Sequence, residues 1–476
     1  MKKTLLIAVL FLAFFTFGCT TDITTGNTST TEDTYPATIR GRVMTDSGEL
    51  LTAGIVITYP NGDMERVNTN FLSGYTLLLY SGTYTLTYMR GYEYSTVTKT
   101  ITVENYKTYV IEDVRLTKLF DVTDYGYYLG DLHQHSKYSD GADEVDQVLL
   151  SNLSNGLHFG FLSDHNSAGG LAEWTQGNRF VASYDNTNQP IYFLAMRAVE
   201  ITTDYGHFQS IGVGNVFEEA DINSLKGDDP EAEIIKMAEE TIRSGAIAQI
   251  NHPYATSTMG FNYWDITEEF ETIEIWNGLY ETNSNENLAA KLKWFDLLDG
   301  YIAGENAFHA ATGGSDNHDI SGYYTASYAD TSTETGAYED AYLRRGRYSG
   351  MPATCVHVDS FTEENVIEAI RAGHSFITNG PMIIADIDGV SYGETYDIGS
   401  STSVNLNLNL FSRDQMQTVN FYLNGEIVKT LTIAEGVTIY QDLVELTGIT
   451  ENSWLVIEVL GEDTLYAITN PIFISK

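Results

Sequence analysis

At 476 residues the chain is too long for one ordinary core, so two to four domains are expected. Hydrophobic residues at 43% and aromatics at 12% exclude wholesale disorder. With 65 acidic against 25 basic residues the net charge is −40, which repels phosphate backbones and argues against a nucleic-acid partner.

Lys2 and Lys3 open the chain, and an almost unbroken apolar run follows from Leu5 to Phe17, then Gly18 and Cys19. That run is too short for an ordinary membrane-spanning helix, and residues 1–19 read as an export signal. A small residue before cysteine resembles the lipobox of bacterial lipoproteins. The resemblance implies a lipid on Cys19, membrane contact through it, and a protein facing the periplasm or cell exterior; simple secretion is the alternative. Residues 20–35, rich in Thr and Ser, form a tether. Cys19 and Cys355 are the two cysteines, so no disulfide framework is expected, and Cys355 beside Val356 reads as a buried inert thiol.

Residues 36–118 break into short Thr-, Tyr- and Val-rich segments: Ala37–Val43, Gly54–Tyr59, Tyr75–Tyr80, Thr83–Tyr88 and Thr96–Val103. Turn signals such as Pro60-Asn61-Gly62 separate them, which predicts a small β-sandwich. Ile39-Arg40-Gly41-Arg42-Val43 and Gly82-Thr83-Tyr84-Thr85-Leu86 resemble carboxypeptidase-regulatory domains.

Residues 122–382 alternate strands with helices. Strands are expected at Tyr127–His133, Phe159–Ser163, Ile191–Val199, Phe208–Val213, Ala246–Ile250 and Thr272–Trp276. Helices are expected near Asp143–Leu153, Glu231–Arg243, Glu286–Leu298 and Glu363–Ala372, each closed by a glycine: Gly156, Gly245, Gly300 and Gly373. Repeated βα units predict a parallel sheet closed, or nearly closed, into a barrel. From residue 383 to 476 the alternation returns, as in Val404–Leu410, Val419–Leu423 with its Asn424-Gly425 turn, and Leu455–Leu460, predicting a second β-sandwich.

Imidazoles and carboxylates gather at the ends of the central strands. His133 and His135 are two apart, so on a strand they share one face; Asp140 follows. Asp164-His165, Glu200, His207, His252 and Asp316-Asn317-His318 close later segments. Strand C-termini are where barrel active sites assemble, and this donor set suits zinc, manganese or iron. Taken singly, each piece is more simply a chance pair or a capped loop. Together, six of the ten histidines beside carboxylates would make an unaffordable buried charge without cations.

The run His133-Gln134-His135-Ser136-Lys137-Tyr138-Ser139-Asp140-Gly141, with Ser163-Asp164-His165, Asn251-His252-Pro253 and Gly314-Ser315-Asp316-Asn317-His318, resembles the PHP (polymerase and histidinol phosphatase) superfamily. With the tail from Ala369 to Pro381 it is similar to the CehA/McbA branch, which includes ester and carbamate hydrolases. The resemblance implies an α/β fold, a distorted (β/α)7 barrel between the two sandwiches, holding two or three divalent ions (Zn, Mn or Fe). It implies a first ion on His133, His135, Glu200 and Asp316, a second on Glu200, His207 and His252, and a third on Asp140, His165 and His318. Asp164 is then a supporting carboxylate or proton carrier, or a strand-end cap.

His158, His309 and His357 read as structural. Arg371, Arg197 and His374 are candidates to touch substrate, although a salt bridge explains either arginine equally well. The expected activity is an exported hydrolase attacking with a metal-bridging hydroxide, first as a phosphoesterase, with Asp316 or His318 managing the proton and Arg371 holding the anion. The alternative is a carboxylic ester, amide or carbamate hydrolase on the same centre. A non-catalytic surface-binding lipoprotein is the third reading, and the complete ligand set weighs against it. The substrate class is a small-molecule or glycan-derived ester.

Overall fold

The computed structural model describes residues 35–212, 229–255, 259–278, 284–320, 323–324, 349–462 and 464–476. The export signal, nearly all of the tether, and Val213 lie outside these residues. Pro36–Lys476 forms one compact unit.

The first β-rich part is two facing sheets. One joins Ala37–Thr45 to Gly74–Leu79, Thr108–Val110 and Val114–Leu116; the other joins Gly54–Thr58 to Met64–Asn68 and Gly82–Met89, with Val97–Val103 at its edge. Alternation produces the layer: Tyr84, Leu86 and Tyr88 point inward onto Ile39, Ile55 and Leu77, while Thr83, Thr85 and Thr87 stay at the outer face.

The central sheet positions the site. In chain order its strands are β1 (Tyr127–Asp131), β2 (Phe159–Leu162), β3 (Leu194–Thr203), β4 (Gly206–Ile211), β5 (Ile247–Ile250), β6 (Thr272–Asn277) and β7 (Ala310–Gly314). They are neighbours in that same order. All run parallel except β4, which forms a tight hairpin with β3 and lies antiparallel to β5. The expected ring, closed or nearly closed, is therefore modified. Among the described residues no regular ladder joins β7 to β1; an isolated parallel bridge between Gln134 and Asn317 brings their ends together. The His135 N–H donates to the Asn317 carbonyl at 3.0 Å, and the Asp316 N–H to the His133 carbonyl at 2.9 Å.

On its other edge β1 pairs antiparallel with β8 (Ala353–His357), which pairs with β9 (Ser375–Thr378). From β9 the ladder continues without a break through Tyr466–Thr469, Ser453–Gly461 and Met416–Leu423 to Glu426–Thr432. One sheet of the C-terminal sandwich is thus an extension of the central sheet. The other consists of Met382–Asp386, Ser403–Phe411 and Ile439–Thr447.

Local chemistry sets the helix ends. Val145–Ser154 starts with a capping box, in which the Glu144 N–H donates to Gln147 Oε1 at 3.1 Å. Pro230–Arg243 starts from Asp229, whose Oδ1 accepts the Ala232 N–H at 3.2 Å. Glu363–Ala372 ends on Gly373 at φ 70°, the left-handed cap that glycine adopts without steric cost. Gly300 is the exception: the helix Ser284–Ala303 runs through it and stops at Gly304, where φ is 75°. Cys355 is a buried free thiol, its pKa pushed well above the usual value by burial.

Candidate metal centre

Four of the central strands, β1, β2, β5 and β7, deliver ligand-type residues just past their C-terminal ends. His133 and His135 follow β1, His165 follows β2, and His252 follows β5; Glu200 sits near the end of β3, and His207 starts β4 across the hairpin. Asp316 and His318 follow β7. Asp316 (φ 48°) and His252 (φ 23°) both hold the left-handed backbone that side chains other than glycine rarely adopt. Such strain costs on the order of 1–3 kcal/mol and persists only where surrounding bonds impose it.

Glu200 is the hub. It is fully buried, and its Oε2 lies 3.2 Å from His133 Nε2, 3.4 Å from His135 Nε2 and 2.9 Å from His165 Nδ1. Its Oε1 lies 3.2 Å from His207 Nδ1 and 3.0 Å from His252 Nε2, and accepts the Asn251 side-chain amide at 2.9 Å. Asp316 Oδ1 lies 3.0 Å from His135 Nε2 and 3.3 Å from His133 Nε2. Toward solvent, Asp140 Oδ1 lies 3.2 Å from His318 Nε2, 3.6 Å from His165 Nε2 and 4.0 Å from His135 Nδ1. The centre is therefore sealed at Glu200 and open at Asp140, which is 59% exposed.

Among the described residues, four sets of donor atoms lie close enough to share an ion: His135, Asp140, His165 and His318; His133, His252 and Asp316; His133, His135 and Glu200; and His165, Glu200 and His207. All nine residues expected as ligands fall within these sets. The grouping differs from the expected one: His135 joins the outer set, and His252 is grouped with Asp316, although it also touches Glu200. Asp164 is in none of them. Its Oδ1 accepts the Ser136 N–H at 2.7 Å and the Ser139 hydroxyl at 2.8 Å, and its Oδ2 accepts the Ser136 hydroxyl at 2.7 Å, so it braces the turn after His135.

The donor set fits divalent cations. His133 Nε2, His135 Nδ1, His252 Nδ1 and Glu200 Oε2 are buried and make no hydrogen bond. His133 Nε2 and Glu200 Oε2 approach each other nonetheless, the arrangement expected where a cation belongs between lone pairs. Burial opposes charge on His133, yet Asp316, Glu200 and Glu274 outweigh it and hold the ring's pKa well above its usual value. Burial likewise opposes ionisation of Glu200 and Asp316, and the imidazoles overcome it, His133 foremost, holding both carboxyls well below the usual range. Protons on histidine do the compensating that cations would do. Burial lowers the pKa of His135.

Two buried carboxylates escaped the sequence reading. Glu274, in the middle of β6, lies with Oε1 3.1 Å from His133 Nδ1, and its Oε2 accepts the His252 N–H at 2.9 Å. Asp131 accepts the Ser315 N–H at 3.0 Å, the Ser315 hydroxyl at 2.6 Å and the Gly350 N–H at 2.6 Å, clamping the β7 loop to β1. Burial pushes Asp131 up to about 6 against those bonds. For Glu274 the available signal was a single acidic residue inside an otherwise apolar strand, with no motif beside it; Asp131 ends β1 two residues before His133, where the ligand motif drew the attention.

Arg371 is a correction. Its Nε donates to Glu271 Oε1 at 2.9 Å, and its Nη2 to the Gly245 carbonyl at 3.0 Å. Both partners precede strand starts, at the end of the sheet opposite the centre, so Arg371 cannot hold a substrate there. Arg371→Ala should leave kcat/KM within about twofold and only lower the unfolding midpoint, since partly exposed ion pairs contribute little. A large loss of turnover at unchanged stability would contradict this placement. Arg197 is exposed on β3. His374 donates no side chain to the cluster; it lines a cavity of about 290 Å³ with His357, Asp359 and Glu394. His158 is structural: its Nδ1 accepts the Leu129 N–H at 3.1 Å, and burial, aided by Lys118, pushes it down to about 3. His309 lies with Nε2 3.0 Å from the Thr267 carbonyl.

No protein-family model matches the chain, and neither does any curated protein sequence. Among solved structures, it is similar to a two-domain protein from Bacteroides vulgatus containing a predicted PHP-like metal-dependent phosphoesterase. That match has 15% identity and a TM-score of 0.35, covering 73% of this chain and 95% of the other. It is also similar to an amidohydrolase from Chromobacterium violaceum, at 19% identity and TM-score 0.27, covering 41% of this chain and 91% of that one. A likeness at these TM-scores is too loose to assign an activity, which rests on this chain's own side chains.

Proposed function

We propose that this protein is a metal-dependent hydrolase of the PHP type, in the CehA/McbA branch, acting as a phosphoesterase. The observation that carries the proposal is one fully buried carboxylate, Glu200, within 3.4 Å of imidazole nitrogens of His133, His135, His165, His207 and His252. His133, His135, Glu200 and Asp316 would hold one ion, Glu200 with His207 and His252 a second, and Asp140, His165 and His318 a third. Zinc, manganese or iron there would polarise the substrate's ester oxygen and acidify water near neutral pH.

The chain's own residues do the rest. Glu200, by accepting Asn251 and facing the imidazoles, keeps a fixed negative centre where cations are to be shared. Asp164 and Asp131 hold the ligand-bearing turns rigid, so little reorganisation accompanies reaction. At the open side the His318 Nδ1, 2.9 Å from the Asp316 carbonyl, orients the ring so that its Nε2 faces Asp140, where the third ion would be held.

A second reading is favoured by one observation: among the described residues no lysine or arginine side chain is paired with any member of the cluster. That suits an uncharged carboxylic ester or carbamate. Reconstituting the protein with zinc or manganese and assaying p-nitrophenyl phosphate, bis-p-nitrophenyl phosphate and p-nitrophenyl acetate separates the two. Turnover of phosphate esters supports the proposal, preference for the acetate supports the second reading, and turnover of none by metal-loaded protein removes both.

Export and lipid anchoring through Cys19 are part of the same proposal, supported by Lys2, Lys3, the apolar run and Gly18-Cys19. Palmitate labelling should be present in a bacterial host and vanish in Cys19→Ser; labelling that survives the substitution would sink it.

A further inference from the structure

We infer that Glu274 is a positioning residue for the inner half of the centre, orienting the His133 imidazole for its ion while holding His252 in its strained backbone. The inference rests on the metal-dependent reading above.

Glu274 lies in the middle of β6, between the strands that carry His252 and Asp316, and is buried. Its two oxygens have separate duties. Oε1 faces His133 Nδ1 at 3.1 Å, so with an ion bound the ring proton would sit on Nδ1 and leave the lone pair of Nε2 for the other side. There Glu200 Oε2 waits at 3.2 Å and Asp316 Oδ1 at 3.3 Å. Oε2 accepts the N–H of His252, whose φ of 23° needs such an anchor, and is braced by the Asn277 amide at 3.0 Å. Asn277 is itself fixed, its N–H donating to Asn287 Oδ1 at 3.0 Å. The carboxylate therefore has little freedom to turn away.

The neighbourhood is shaped around this pair. A Cβ added at Gly314 would stand 2.4 Å from the His133 Cβ and 3.0 Å from Glu274 Oε1, so only glycine lets β7 pass. Among the described residues, every other carboxylate paired with the ring of a cluster histidine belongs to a metal-capable set, and Glu274 belongs to none. A carboxylate behind an imidazole fixes its tautomer and plane and strengthens it as a donor; losing such a partner typically costs about 10–100-fold in metal affinity.

The test is Glu274→Gln, which keeps the shape and removes the charge. Zinc alone is titrated against a chromophoric chelator, cobalt is followed by its visible spectrum, and the unfolding midpoint of the metal-free protein is recorded. Zinc affinity should fall about 10–100-fold at one site. The ion that Asp140, His165 and His318 would hold should keep its affinity, the cobalt spectrum should change, and the metal-free midpoint should not fall. Unchanged zinc affinity and cobalt spectrum would overturn the inference, as would parallel loss at every site with a lower midpoint, the mark of a structural role. Should the Gln variant not fold, Glu274→Asp, which retracts the same charge by one methylene, is read against the same outcomes. A wild-type protein that binds no zinc would overturn the metal reading itself.

Discussion

Glu200→Gln should release at least one ion and lower turnover by roughly 100-fold or more, beyond the loss typical of a residue that merely supports a ligand. The amide keeps the size of the side chain but not its charge, and both oxygens are committed: Oε2 faces His133, His135 and His165, and Oε1 faces His207 and His252. A neutral amide would offer no negative charge to the cations that those rings would hold. The variant should still fold, because removing a buried anion also removes its desolvation cost. Metal content and kcat/KM measured on the same sample decide the matter; a variant with full metal content and near-normal turnover would show that Glu200 is only a buried hydrogen-bond acceptor.

Removing the ions should destabilise the protein, and more so as pH rises. At a free metal concentration about a thousand times Kd, binding to the folded state contributes roughly 4 kcal/mol. In metal-free protein the compensation falls to protonated histidine. His133 has a pKa raised above 6.5, so its stabilising contribution is complete below that value and is lost as pH rises through the folded pKa. Glu200 and Asp316 have lowered pKa values, so their contribution is present above 4.5 and 3.8 and is lost as pH falls through their folded values. Zinc competes with the histidine protons, so the gap in unfolding midpoint between loaded and metal-free protein should widen from pH 5 to pH 8. A gap that is absent, or constant across that range, would count against metal occupying these rings.

The sheet and its strand-end residues were readable because each signal was local. Apolar runs ending in Asp-His, Asn-His or Asp-Asn-His carry both the strand and its donors, and glycines at 156, 245 and 373 take the left-handed caps expected of them. Gly300 misled because a glycine inside a helix costs only about 1 kcal/mol, and packing of Trp294, Phe295 and Leu298 carried the helix past it. Glu274 was invisible because burial of a single acid in an apolar strand is a tertiary fact, and the role of Asp131 because its partners Ser315 and Gly350 lie far away in sequence. Arg371 was misplaced for a related reason: helical periodicity gives the face of a helix, not the end of the sheet that it faces. The break in the ring and the ladder from β9 into the C-terminal strands depend on pairings far apart in sequence, which alternation alone does not encode.

The most direct measurement is the metal content of purified, folded protein after reconstitution with zinc or manganese, by elemental mass spectrometry, beside Glu200→Gln. Two or three ions per wild-type chain, with at least one missing in the variant, are the predicted result. A folded wild-type chain retaining less than one ion, or a variant retaining as many as the wild type, would contradict the account.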